Sequence, residues 1–180
     1  MNTANIITIS RILSVPVFLY FLCNLGVPYY DLISAALFLI ISMTDWLDGY
    51  IARKYNQVTD FGKFLDPLAD KILITSTMIV LVGLGKLNSI ACVIVIFREF
   101  LVTSLRLVAN TSGKVIAAGI SGKIKTVFQI ITVMVIFLEK YLILLYPLPY
   151  SVFFVWIMVI LTVYSGLEYV WQYKDYIKYK

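Results

Sequence analysis

Asp45-Trp46-Leu47-Asp48-Gly49-Tyr50-Ile51-Ala52-Arg53, followed by Gly62-Lys63-Phe64-Leu65-Asp66-Pro67-Leu68-Ala69-Asp70, decides how this sequence folds. Each half adjoins an uncharged run of thirteen residues, Leu32 to Thr44 before the first and Ile72 to Leu84 after the second. Thirteen helical residues reach only about 20 Å, short of the ~30 Å hydrocarbon core of a bilayer. For these runs to cross, one helix must continue through Asp45 and Asp48, and the next must begin before Asp66 and Asp70. The four carboxylates are thereby drawn to one edge of the membrane, from two helices joined by a short loop.

A bilayer is the solvent that the composition demands. Of the 180 residues, 61% are hydrophobic and 14% charged, against about 45–50% and 25% in soluble domains. One soluble core of this size cannot hide so much apolar surface. Apolar segments recur at 6–25, 32–52, 62–84, 89–109, 124–145 and 151–171, each near the ~20 residues of a span. Backbone groups in lipid must be satisfied within their own segment, so these are helices. Turn formers separate them: Gly26 and Pro28, Gly85 and Asn88, Gly113 and Gly119, Pro147 and Pro149. The expected architecture is all-α, a polytopic bundle of six transmembrane helices forming one membrane domain over 1–180. The apolar run from Ile12 to Leu25 lacks a small-residue cleavage site and reads as a retained helix.

With both termini on one side, that side receives Arg11, Arg53, Lys54, Lys63, Lys71, Arg98, Arg106, Lys114, Lys123, Lys125, Lys174, Lys178 and Lys180, and the other only Lys86 and Lys140. The positive-inside rule then predicts cytoplasmic termini and places the aspartates at the cytoplasmic edge of the cell membrane. The net charge of +5 is spread between spans, with no soluble basic domain, which argues against nucleic acid as a partner.

Histidine is absent, and the two cysteines, Cys23 and Cys92, stand far apart in apolar runs as small hydrophobes. Acid–base or metal chemistry must therefore fall to carboxylates. Asp45 and Asp48 lie about 60° apart around an ideal helix, Asp66 and Asp70 about 40° apart. Such acids repel one another unless a cation is shared among them. Oxygen-only ligands favour Mg²⁺ or Mn²⁺, and two such ions suit displacement at phosphorus. Gly49 and Ala52 on the face of the first pair let a bulky ligand approach the backbone. Pro67 removes one backbone hydrogen bond within its helix.

The pattern D-x2-D-G-x2-A-R-x8-G-x3-D-x3-D resembles the signature of the CDP-alcohol phosphatidyltransferase family, and every position matches. The likeness extends to the six-helix layout. It implies that Asp45, Asp48, Asp66 and Asp70 serve two divalent cations, with Asp66 bridging, and that Asp70 is the general base. It implies that Asn5, Thr8, Asp48, Gly49, Ala52, Arg53 and Gly62 meet CDP-diacylglycerol, and that the protein is a homodimer.

A second set of positions resembles the branch of that family whose acceptor is sn-glycerol 3-phosphate. These are Asn5-x2-Thr8-x2-Arg11, Arg98-Glu99-Phe100 with Arg106, and Gly122-Lys123-x-Lys125-Thr126-x2-Gln129. Several cations on the metal-site side suit an acceptor that carries phosphate, which Arg98, Arg106, Lys123 and Lys125 would cradle. Blander readings stand beside this one. Glu99 projects within about 20° of Arg106 and suits an intramembrane ion pair, and Lys123 and Lys125 suit positive-inside anchors. Glu139 and Lys140 mark the outer end of the fifth helix. Tyr29, Tyr30, Trp171, Tyr173 and Tyr176 suit an interfacial belt.

The reaction expected from the resemblance moves a phosphatidyl group from CDP-diacylglycerol to sn-glycerol 3-phosphate, giving phosphatidylglycerophosphate and CMP. Another acceptor (inositol phosphate, serine or phosphatidylglycerol) is the alternative within the family. A small cation transporter is the alternative outside it, since intramembrane carboxylates also line ion paths. Clustering of the acids at one face argues against transport.

Overall fold

The computed structural model describes the backbone of residues 3–24, 26, 28–54, 60–111 and 119–173, and the side chains of these except 3–5, 45–54, 60–67, 70, 107–111 and 173. Six helices appear in chain order: α1 (Thr3–Cys23), α2 (Tyr30–Lys54), α3 (Asp60–Gly83), α4 (Ser89–Thr111), α5 (Ile120–Leu145) and α6 (Tyr150–Tyr173). They coincide with the six apolar segments to within a few residues, most extending into polar flanks that continue the helical register. Among the described residues every regular element is helical.

Among the described residues three helices are long and apolar enough to cross a bilayer: Ile6–Cys23, Ile120–Leu145 and Tyr150–Gln172. Among the described residues the shorter apolar stretches of α2 and α3 are Tyr30–Thr44 and Lys71–Gly83. Large apolar side chains such as Leu13, Val17, Phe97, Phe100, Leu145 and Ile160 stand exposed along the helices. In water such a surface would aggregate; against acyl chains it is the expected outer face. The chain is a membrane protein.

Two compact units divide it, Met1–Leu84 and Gly85–Lys180. In the first, α1 packs along both α2 and α3, which touch each other at few places. Phe18 and Phe38 meet with ring centroids 6.0 Å apart and sit in a core with Val15, Leu22, Leu73 and Leu81. Ser34, Ala35 and Ala69 are buried, and such small residues let helix backbones approach closely where apolar side chains already have lipid to contact.

In the second unit α6 packs along both α4 and α5. Asn88 caps α4, its side-chain oxygen accepting from the amides of Ile90 at 2.9 Å and Ala91 at 3.3 Å. Just before it, Gly85 takes φ +69°, a left-handed turn that a side chain would strain. Pro147 and Pro149 divide α5 from α6. Across this hairpin the Phe128 and Phe154 rings stack at 5.6 Å. Glu139 reaches across it as well, accepting from the Ser151 amide at 3.0 Å in the first turn of α6. A carboxylate there meets an otherwise orphaned donor and the positive end of the helix dipole.

Candidate functional site

In the first unit, helix α2 runs unbroken through Asp45, Asp48, Gly49, Ala52 and Arg53, and α3 through Gly62, Asp66 and Asp70. The helical register on which the carboxylate spacing depends is therefore present in both halves of the motif. The side chains of these residues, and of Asn5 on α1, lie outside the described residues. Thr8 and Arg11, one turn apart on α1, are both buried. Arg11 Nε donates to Thr44 Oγ1 at 3.2 Å, and Thr44 donates to the Ile41 carbonyl at 2.6 Å. A buried guanidinium thus ties α1 to α2 one residue before Asp45.

The second unit gathers cations around a tyrosine. Arg98 and Arg106 project from α4, Lys125 from α5 and Tyr169 from α6. The guanidinium carbons of Arg98 and Arg106 lie 5.7 Å and 5.3 Å from the Tyr169 ring centroid, within cation–π range. The Tyr169 hydroxyl accepts from Arg106 Nη2 at 2.7 Å and from the Gly119 amide at 2.9 Å. Glu99 Oε1 accepts from Arg98 Nη1 at 3.3 Å and from Lys125 Nζ. Glu99 is thereby engaged by Arg98 and Lys125, while Arg106, which the helical register offered as an alternative partner of Glu99, turns to Tyr169. Lys125 is buried, with 2% of its surface exposed, whereas Lys123 points to the exterior.

Among the described residues of this cluster some donors are unmet. Nε and Nη2 of Arg98 and Nε of Arg106 are buried without a hydrogen-bond partner, as is Ser121 Oγ in the first turn of α5. A buried donor left unmet costs about 1–3 kcal/mol, more when charged, so such an arrangement persists where an anion completes it. Helix α5 presents its amino end here, with Gly119 in extended conformation as its cap and no side-chain cap bond. Its unpaired amides add to the attraction for an anion. Tyr169 is the residue that sequence reasoning missed. It is one of 13 tyrosines, in a helix rich in exposed aromatics, and its burial follows only from tertiary packing.

The model of the CDP-alcohol phosphatidyltransferase family matches residues 1–164. A Bacillus subtilis protein named CDP-diacylglycerol–glycerol-3-phosphate 3-phosphatidyltransferase is 42% identical over 179 residues, covering 93% of each chain. A Rickettsia bellii protein of the same name is 37% identical over 177 residues, covering 97% of each. A probable phosphatidylglycerophosphate synthase of Mycobacterium tuberculosis is 39% identical over 176 residues, covering 94% of this chain and 80% of its own. The chain belongs to the CDP-alcohol phosphatidyltransferase family.

Divalent metal ions are general to that family. The residues present fit them by donor chemistry: with no histidine and cysteines confined to Cys23 and Cys92, the available hard ligands are carboxylates. Among the described residues no three acids or cysteines come together to hold an ion. The aspartates of α2 and α3, whose side chains lie outside the described residues, stand three and four residues apart on continuous helices.

Proposed function

We propose that this chain transfers the phosphatidyl group of CDP-diacylglycerol to sn-glycerol 3-phosphate, yielding phosphatidylglycerophosphate and CMP in phospholipid synthesis. The relatives' names carry that reaction, and their coverage of nearly the whole chain supports the transfer. The observation that carries the acceptor assignment is the buried pair Arg98 and Lys125 beside half-buried Arg106, with the unmet N–H groups of the two arginines. Serine brings no phosphate and leaves those donors unsatisfied; between sn-glycerol 3-phosphate and inositol phosphate, both phosphomonoesters, the relatives' names favour the first. A phosphomonoester satisfies them through charge-assisted hydrogen bonds.

In this reading Asp45, Asp48, Asp66 and Asp70 serve two divalent cations, Mg²⁺ or Mn²⁺, which when bound neutralise charge on the donor pyrophosphate and on CMP. Asn5, Thr8, Asp48, Gly49, Ala52, Arg53 and Gly62 hold the donor head. Asp70 accepts the proton of the acceptor hydroxyl. The hydroxyl oxygen then bonds to the lipid-side phosphorus, and the bond from that phosphorus to the CMP oxygen breaks. Arg98, Arg106 and Lys125 hold the acceptor phosphate, with Lys123 at the exposed margin. Six spans with both termini cytoplasmic follow from the distribution of lysine and arginine. The donor's acyl tails then stay in lipid while its head meets a soluble acceptor. The protein works as a homodimer in the cytoplasmic membrane.

Release of CMP by the purified chain, offered CDP-diacylglycerol with each acceptor in turn, tests this. Turnover with sn-glycerol 3-phosphate and background rates with serine, inositol phosphate and phosphatidylglycerol are expected. Faster turnover with any of the other three would replace the assignment.

A further inference from the structure

Gly166 and Tyr169 lie three residues apart on α6, beyond residue 164, where the family match ends. Both face the cation cluster. A Cβ built on Gly166 comes within 3.1 Å of Arg98 Cγ, tighter than a relaxed contact, so the bare backbone at 166 is what lets the Arg98 stem lie there. Tyr169 is 2% exposed, and its oxygen joins Arg106 of α4 to the Gly119 amide at the cap of α5. Its ring lies under both guanidinium groups. Gly122 on α5 stands close by, 3.7 Å from Arg98 Nη2 and 3.8 Å from the Tyr169 ring if given a Cβ.

We propose that Gly166 and Tyr169 form the floor of the acceptor-phosphate pocket and act as positioning residues that set its selectivity for phosphomonoesters. Tyr169 fixes where Arg106 and the Gly119 amide point, and Gly166 sets how deeply Arg98 sits. Long arginine side chains lose rotamer freedom when held in one place. A ring and hydroxyl that hold them before the ligand arrives remove that cost from binding. The inference rests on the acceptor reading given above, and assigns the selective element to α6 in addition to the lysines and arginines of α4 and α5.

Full-length Tyr169→Phe keeps the ring and the packing and deletes only the hydroxyl. Steady-state CMP release, varying each substrate separately, should show the KM for sn-glycerol 3-phosphate raised about tenfold, the loss expected for one hydrogen bond to a charged group. Inhibition by inorganic phosphate should weaken in parallel, with the donor KM and kcat within about twofold. Gly166→Ala, which displaces Arg98 and leaves the hydroxyl in place, should raise the same KM and the same inhibition constant. Unchanged acceptor KM in both variants, or equal changes in both substrates' KM, overturns the proposal. Arg106→Ala separates it from the reading beneath. If that variant raises the acceptor KM while Tyr169→Phe and Gly166→Ala do not, the floor assignment fails alone. If Arg106→Ala raises only the donor KM, the acceptor reading fails with it.

Discussion

The aspartate helices of the first unit and the cation cluster of the second are built on opposite principles. The aspartates come in pairs three and four residues apart on two continuous helices, so each pair shares a face by local register alone. The cations stand on α4 and α5, and a tyrosine of α6 joins them. The first arrangement is written in spacing; the second exists only once three helices have packed. The chemistry differs in the same way. In the proposed roles the acids in register take a cation from outside, whereas the cluster carries its own partial counter-charge in Glu99 beside unmet donors of Arg98 and Arg106.

That contrast can be broken first at Asp70. Asp70→Asn should lower turnover by about 10²- to 10⁴-fold, the usual contribution of a general base, while binding of CDP-diacylglycerol persists. Full activity in this variant, measured by CMP release, would take Asp70 out of its role.

The cluster should respond through stability as well as catalysis. Glu99→Gln leaves Lys125 and Arg98 buried without their carboxylate, and loss of one partner of a buried pair costs about 3–5 kcal/mol. The thermal midpoint in detergent should fall, and inorganic phosphate should restore part of it by supplying the missing negative charge. A variant as stable as the parent, and indifferent to phosphate, would show that Glu99 does not balance the cluster.

The smallest effect belongs to a carboxylate outside both regions. Glu139→Ala removes the acceptor of the Ser151 amide and should cost about 1 kcal/mol, as for loss of a helix cap, with turnover unchanged. A drop in turnover at full stability would give Glu139 a part in the reaction.

How much of this was legible in the sequence follows from the same contrast. The six helices were, because lipid leaves the backbone no alternative and the apolar segments mark their extent. The motif's place at the C-terminal end of α2 and the N-terminal end of α3 was too, since the uncharged runs end at Thr44 and begin again at Ile72. Arg98, Arg106 and Lys125 could be named as cations of interest, but not how they are shared out. On α4 alone, Glu99 lies on the side of Arg106. In the folded unit Lys125 comes in from α5 and takes Glu99, and Tyr169 comes in from α6 and takes Arg106. Neither partner is visible from the spacing on α4. Glu139 was read as a helix-end marker, and its bond to the Ser151 amide appears only when the α5–α6 hairpin closes.

Binding of Mn²⁺ to the purified chain, followed by electron paramagnetic resonance, tests the central claim most directly. Two ions per chain are expected for the parent and for Arg106→Ala, and loss of both in Asp66→Asn, as would follow if Asp66 served both ions. Mn²⁺ binding that survives intact in Asp66→Asn would contradict the assignment of the metal ions to these aspartates.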